Sequence, residues 1–157
     1  MLGIDILCVG KLKEKFFSAA CDEYSKRMST YCKLNITELS ETPAANPSEV
    51  SRALEQEGER ILAKIPKDAY LVCMCIEGGQ LSSEELSKKI SSLKISGKSR
   101  LCFVIGGSNG IDEKIKAKAD LKLSMSKMTF PHHLARVMVL EQIYRAFKIE
   151  EGSGYHK

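Results

Sequence analysis

No apolar run in the sequence approaches the ~18 residues that a bilayer-crossing helix requires, which excludes a helical membrane span. Met1 to Gly10 has neither the basic start nor the small-residue cleavage site of a secretory signal; it reads as a strand, and the expected location is the cytoplasm. The six cysteines (Cys8, Cys21, Cys32, Cys73, Cys75, Cys102) form no C-x-x-C pair, the usual spacing of zinc and redox sites. Cys8, Cys73, Cys75 and Cys102 lie inside apolar runs, where a free thiol packs as a small hydrophobe. There is no H-E-x-x-H, and the adjacent His132 and His133 point apart on a helix, so no metal is expected. G-x-G-x-x-G, the lysine-bearing P-loop and the G-x-S-x-G elbow are absent too. Repeats and low-complexity segments are missing as well.

The net charge is also small. A formal net charge of +4 over 157 residues does not by itself call for a nucleic-acid partner. Its distribution is uneven: from Leu121 onward there are six Lys/Arg (Lys122, Lys127, Arg136, Arg145, Lys148, Lys157) against Glu141, Glu150 and Glu151, and all three histidines lie there. That end would attract phosphate; a merely solvated basic face has the same composition.

What is present is an alternation of strands and helices over one domain, residues 1–157. Ile4–Val9 and Leu34–Leu39 read as strands, the second half-covered by its apolar/polar alternation. Phe16–Met28 and Ser48–Lys64 read as helices, with Glu57 and Arg60 on the exposed side of the second, and Glu41–Pro47 as the most mobile loop. Ala69–Ile76 is a continuous apolar run, as in a strand covered on both faces, and Gly78-Gly79 is expected to break it. Ser82-x-x-Glu85 is a capping box that opens a helix closed near Gly97. Leu101–Ile105 is a buried strand, Asp112–Ala119 a short helix and Leu121–Leu123 a short strand. Pro131 opens a last helix to about Ile149. The pattern predicts an α/β fold with a mainly parallel sheet flanked by helices.

Two segments offer themselves to a ligand. Gly106-Gly107-Ser108-Asn109-Gly110 follows a buried strand, where ligands of such folds bind; the same residues also make an ordinary tight turn. Leu123 to His132 alternates apolar and hydroxyl residues with no strand or helix period. Its backbone polar groups, with Met125, Met128 and Phe130 as walls, suit an adenine; a buried connection is the alternative. On the last helix Val139, Leu140, Ile143, Tyr144 and Phe147 form one apolar face with Arg136 in its middle. A guanidinium so placed needs an anionic or carbonyl partner. Either it forms a buried salt bridge, or the face is shared with a second subunit and Arg136 reaches a substrate. Glu141 and Arg145 read as a surface i,i+4 pair. Tyr155-His156-Lys157 ends the chain as a frayed tail or as one that completes a site.

Val9-Gly10-Lys11, Gly58 to Leu62, Phe103 to Gly110, Leu123 to His132, Glu141 to Phe147 and Tyr155-His156-Lys157 together resemble the ribosomal RNA large subunit methyltransferase H family of the SPOUT superfamily. The resemblance runs from the first strand to the last residue. It implies a C-terminal trefoil knot and an S-adenosyl-L-methionine (SAM) pocket made by Met74, Gly106, Met125, Ser126, Lys127, Met128, Thr129 and Phe130. Met74 stands where the family leads one to expect leucine. The implied reaction is methylation of N3 of pseudouridine 1915 in 23S ribosomal RNA of assembled ribosomes by a homodimer whose substrate site draws on both subunits. His156 or Tyr155 would assist deprotonation, and Arg136 or Lys157 would stabilise the imide anion or a phosphate. With no separate RNA-binding module, such a dimer would read ribosome shape. Two other readings are a nucleotide-dependent oxidoreductase, for which Gly10-Lys11-Leu12 provides no fingerprint, and a non-enzymatic ribosome-binding factor on the same fold.

Overall fold

In the computed structural model, which describes residues 1–157, the apolar residues of the strands divide between two faces of one sheet. The strands are β1 (Leu2–Val9), β2 (Cys32–Leu39), β3 (Tyr70–Gly79), β4 (Arg100–Ile105) and β5 (Leu121–Leu123), in the order β2-β1-β4-β3-β5, and every pairing is parallel. Ile4, Ile6 and Cys8 of β1, Val72 of β3 and Leu101, Phe103 and Ile105 of β4 point into one core. Leu7, Val9, Leu71, Cys73, Cys102 and Val104, alternating with them, point into the other. This is the period of two at work on a sheet covered on both sides.

Helices α1 (Lys15–Met28), α3 (Ser83–Ile95) and α5 (His132–Glu150) cover the first face through Cys21, Met28, Leu86, Ile90, Val139, Leu140, Ile143 and Phe147. Helices α2 (Val50–Leu62) and α4 (Glu113–Lys118) cover the second through Ile61 and Ile115. The apolar face of α5 is therefore consumed inside its own chain, packed between α1 and α3. It is not the free surface that sharing with a second subunit needs.

Local signals mark several element ends. Ser82 accepts the Glu85 amide at 3.0 Å while Glu85 accepts the Ser82 amide at 2.6 Å, the capping box expected at α3. Pro131 sits one residue ahead of α5, and its carbonyl accepts the Ala135 amide at 2.9 Å. Two expectations fail. The stretch 48–64 divides into a 3₁₀ turn (Pro47–Glu49) and α2, and Glu57 lies on the inner side of α2, only 2% exposed. Its Oε2 accepts the Thr42 amide at 2.9 Å, and Arg60 donates to the Ser40 carbonyl and to Thr42 Oγ1 at 2.9 and 2.7 Å. The loop after β2 is thus clamped onto α2 by two residues that an amphipathic pattern assigns to solvent. Burial pushes the Glu57 carboxyl above the ordinary carboxylate range.

The second failure is at Gly78-Gly79. Rather than ending β3, these glycines carry it past an irregularity at which pairing with β5 shifts from Met74 to Gly79 opposite Leu123. A Cβ on Gly78 would stand 2.7 Å from the backbone of Lys122 and Leu123. Only glycine lets the two strands approach so closely. Gly78→Ala is expected to cost about 1–3 kcal/mol by overpacking against backbone that cannot yield. A urea-unfolding midpoint unchanged by the substitution would show that β5 has room to move.

Candidate functional site

The sheet order reverses between β1 and β4. The chain leaves β1 toward β2 on one side and leaves β4 toward β5 on the other, and such a switch point opens a crevice at the carboxyl ends of the strands. A cavity of about 750 Å³ lies at this end of the sheet, against β3, β4 and β5. Met74 to Glu77 of β3, Ile105 to Ile111 after β4, and Leu123 to Pro131 after β5, Lys127 excepted, line it together with Lys116, His132 and Ala135.

Gly106 is glycine because its own loop requires it. A Cβ there would collide with the Gly110 carbonyl oxygen and come within 2.8 Å of Ile111 Cγ1. Gly107 and Gly110 bridge across the turn, with the Gly110 amide donating to the Gly107 carbonyl at 3.1 Å. The segment after β5 is held without regular structure by its own hydroxyls. Ser124, 5% exposed, donates to the Ser126 carbonyl at 2.9 Å, and Ser126 Oγ accepts the Met128 amide at 3.0 Å. The Ser124 amide reaches back to the Gly79 carbonyl at 2.9 Å, which ties the segment to the end of β3. The hydroxyl–apolar alternation so divides the work: serines shape the backbone, while Met125 and Phe130 wall the cavity.

Of the residues singled out in the sequence, Met74, Gly106, Met125, Ser126, Met128, Thr129 and Phe130 meet at this cavity, and Lys127 does not line it. Sequence reasoning missed Ile76, Glu77 and Lys116 as neighbours. Lys116 pairs with Glu77 across 39 residues, a contact no spacing announces. Glu77 was hidden because Gly78-Gly79 read as the end of the strand. His132, the last residue of the candidate stretch, stands at the same cavity. Burial, helped by His133 and Arg136 and opposed by Glu41, holds its imidazole below the ordinary range, so it stands neutral at the rim at pH 7.

Arg136 lies behind the site, not in it. It is 2% exposed; Nη1 donates to Glu38 Oε2 at 2.7 Å and Nη2 to the Gly10 carbonyl at 3.1 Å, while Nε has no partner. Glu38 Oε2 also accepts the Leu12 amide at 2.9 Å. This is the buried salt bridge, and it joins α5 to the ends of β1 and β2.

The tail is docked. Tyr155 donates to Glu141 Oε2 at 2.9 Å, and the Arg145 guanidinium lies 4.8 Å from the centre of its ring. Arg145 Nη1 donates to His156 Nδ1 at 3.1 Å, which puts the proton of a neutral ring on Nε2, 2.6 Å from Glu84 Oε1. Glu141 and Arg145, expected as a surface pair, are half-buried beneath this tail. Burial and then the Glu141 carboxylate push the Tyr155 phenol up. Neither Tyr155 nor His156 lines the cavity of its own chain. Three of the six cations of this end are paired, Arg136 with Glu38, Arg145 with Glu141 and Lys148 with Glu151. Lys122, Lys127 and Lys157 remain exposed. No group of three or more His, Cys, Asp or Glu side chains is arranged to hold a metal ion, and no helix is long and apolar enough to cross a membrane.

Partial burial raises the Glu38 carboxyl, but the hydrogen bonds from Arg136 and the Leu12 amide outweigh it and leave it below the ordinary range. A carboxyl lowered by folding stabilises the protein above its unfolded pKa, and that contribution is lost as pH falls through the folded one. Glu38→Gln is therefore expected to cost about 1.5–3 kcal/mol at neutral pH. The gap to the wild type should narrow at acid pH, as the Glu38 carboxyl takes up its proton. Urea unfolding at neutral and acid pH checks this; a gap independent of pH would mean that the charge of Glu38 contributes nothing.

Comparison with known proteins agrees with this geometry. A family model described as "Predicted SPOUT methyltransferase" matches residues 2–156. Proteins named ribosomal RNA large subunit methyltransferase H are 52% identical in Clostridium kluyveri, 50% in Clostridium novyi and 46% in Clostridioides difficile, each over 99% of this chain and the whole of the relative. Among solved structures, that of a probable methylase family protein from Haemophilus influenzae Rd KW20 superposes with a TM-score of 0.55 at 14% identity, over 98% of this chain and 70% of that one, a likeness of fold alone. The chain belongs to the ribosomal RNA large subunit methyltransferase H family of SPOUT methyltransferases.

Proposed function

We propose that this protein is a cytoplasmic SAM-dependent methyltransferase that modifies N3 of pseudouridine 1915 in 23S ribosomal RNA of assembled ribosomes. It would act as a homodimer with a trefoil knot at its C-terminal end. One observation carries the reading: of eight residues expected from the family pattern to hold SAM, seven (all but Lys127) wall a single cavity at the carboxyl ends of the strands.

The cavity suits the cofactor in size and lining. Its ~750 Å³ lies within the usual span of small-molecule pockets, about 300–1,000 Å³. Met74, Ile105, Leu123, Met125 and Phe130 give apolar cover for an adenine ring, and the irregular backbone of 124–130 supplies amides and carbonyls for its edge. SAM, when bound, supplies an electrophilic methyl group on a sulfonium, which is itself a good leaving group. The protein must then bring N3 to within about 3–3.5 Å of that methyl and remove the imide proton.

His156 is the better base of the tail pair. The Tyr155 phenol is pushed up and held protonated by Glu141, which leaves the His156 imidazole as the tail's proton acceptor. Because the tail is docked away from its own cavity, His156 would serve the cavity of a second subunit once released from Glu84 and from Arg145, whose departure frees Nδ1 to accept the imide proton. A composite site makes dimerisation a requirement of catalysis, independent of the apolar face of α5. Arg136 is assigned a positioning role, since its guanidinium already holds Glu38 and Gly10. Lys157 remains to stabilise the imide anion or a neighbouring phosphate.

Incubation with SAM and pseudouridylated, unmethylated ribosomes should yield 3-methylpseudouridine on nucleoside mass analysis. His156→Ala should lower turnover by about 10²–10⁴ with SAM affinity unchanged, the usual worth of a positioned base. Full activity in that variant would remove His156 from the mechanism. Ribosome binding without SAM affinity would instead favour a ribosome-binding factor on a methyltransferase fold.

A further inference from the structure

Four aromatic rings run in file from solvent to the mouth of the cavity. Phe16, in the first turn of α1, is 65% exposed. Its ring centre lies 4.5 Å from that of Phe17, Phe17 lies 6.2 Å from His133, and His133 lies 4.1 Å from His132, which lines the cavity. Beside the outer end, Lys11, Lys13 and Lys15 are all exposed. Glu14 is the only acidic residue between Gly10 and Phe17, and it faces His133, Oε2 to Nδ1 at 3.8 Å. A lone exposed phenylalanine or a short lysine run is ordinary surface. A graded file of rings leading into a cofactor-sized cavity and flanked by cations is not.

We infer that this file is the path of the RNA strand: bases stack on Phe16, Phe17 and His133 while Lys11, Lys13 and Lys15 hold the backbone phosphates and lead the target nucleotide to the cavity. The chemistry is that of single-strand recognition, in which aromatic faces accept any base and lysines track the backbone. His132, kept neutral at the rim, adds no charge that would arrest a phosphate there. The segment is also held in place from beneath. The Gly10 carbonyl is bound by Arg136 and the Leu12 amide by Glu38, so Lys11 and Lys13 project from an anchored loop that leads into the first turn of α1, where Lys15 and Phe16 stand.

The inference rests on the ribosomal RNA reading but fails separately from it. Phe16→Ala should weaken binding to intact ribosomes about tenfold, within the range for loss of one base–aromatic stack. SAM affinity by calorimetry and the melting temperature should not change, because the ring is mostly in water. Phe16→Trp should restore binding. Replacing Lys11, Lys13 and Lys15 together by Gln should reduce the slope of log K against log salt by about 2, from three lost single-strand phosphate contacts. Wild-type methylation with no change in either variant would overturn the path and leave the function standing. Ribosome binding that depends on Phe16 in a protein without SAM affinity would do the reverse. A wild type that does not bind ribosomes overturns both. If Phe16→Ala shifts only the monomer–dimer equilibrium, the rings are covered by a second copy and the inference is wrong.

Discussion

The site end of this molecule is organised around one buried cation. Arg136 reaches from the second turn of α5 under the crevice, holds the Glu38 carboxylate at the end of β2 and caps the Gly10 carbonyl at the end of β1. Glu38 in turn holds the Leu12 amide. Three chain segments that would otherwise drift, the β1–α1 loop, the end of β2 and the start of α5, are thereby fixed to one another. A buried ion pair of this kind adds little net stability over an apolar packing of equal volume, because desolvation offsets attraction. What it provides here is geometry: the start of α5 carries His132 to the cavity rim, and the β1–α1 loop carries Lys11 and Lys13 and leads into the turn of α1 that carries Lys15 and Phe16.

A second organising device is polar as well. The cavity wall from Leu123 to Pro131 is neither helix nor strand, and it keeps its shape through the hydroxyls of Ser124 and Ser126 and the Gly79 carbonyl. This is why β3 must continue through Gly78-Gly79 beyond its apolar run. Those glycines bring its end against β5 closely enough to receive the Ser124 amide. Fold and site are therefore coupled through backbone, and side chains such as Met74 and Met125 are left to shape the cavity.

The elements whose signals are local were legible in the sequence. Alternation revealed β2, the unbroken apolar runs revealed β3 and β4, Ser82 and Glu85 marked the start of α3, and Pro131 marked the start of α5 to within a residue. The two segments that build the cavity were legible as departures from any regular period. What could not be read depends on partners remote in the chain. Glu57 looks solvent-facing on a helical wheel and is buried because the loop after β2 folds back over α2 to use it. Arg136 was visibly out of place on its apolar face, but its partner lies 98 residues away. His156 finds Glu84 across 72 residues, so a tail with the composition of a frayed end is docked. Gly78-Gly79 carries the ordinary signal for a break, and only the approach of β5 reverses its meaning.

The central claim is that the 106–110 loop and the 123–131 segment are two walls of one SAM pocket, and amide chemical-shift mapping during a SAM titration tests it most directly. The account predicts saturable shifts concentrated at Gly106 to Gly110, Met125 to Phe130 and Met74. Shifts absent from these segments at saturating SAM, or clustered elsewhere on the chain, would contradict it.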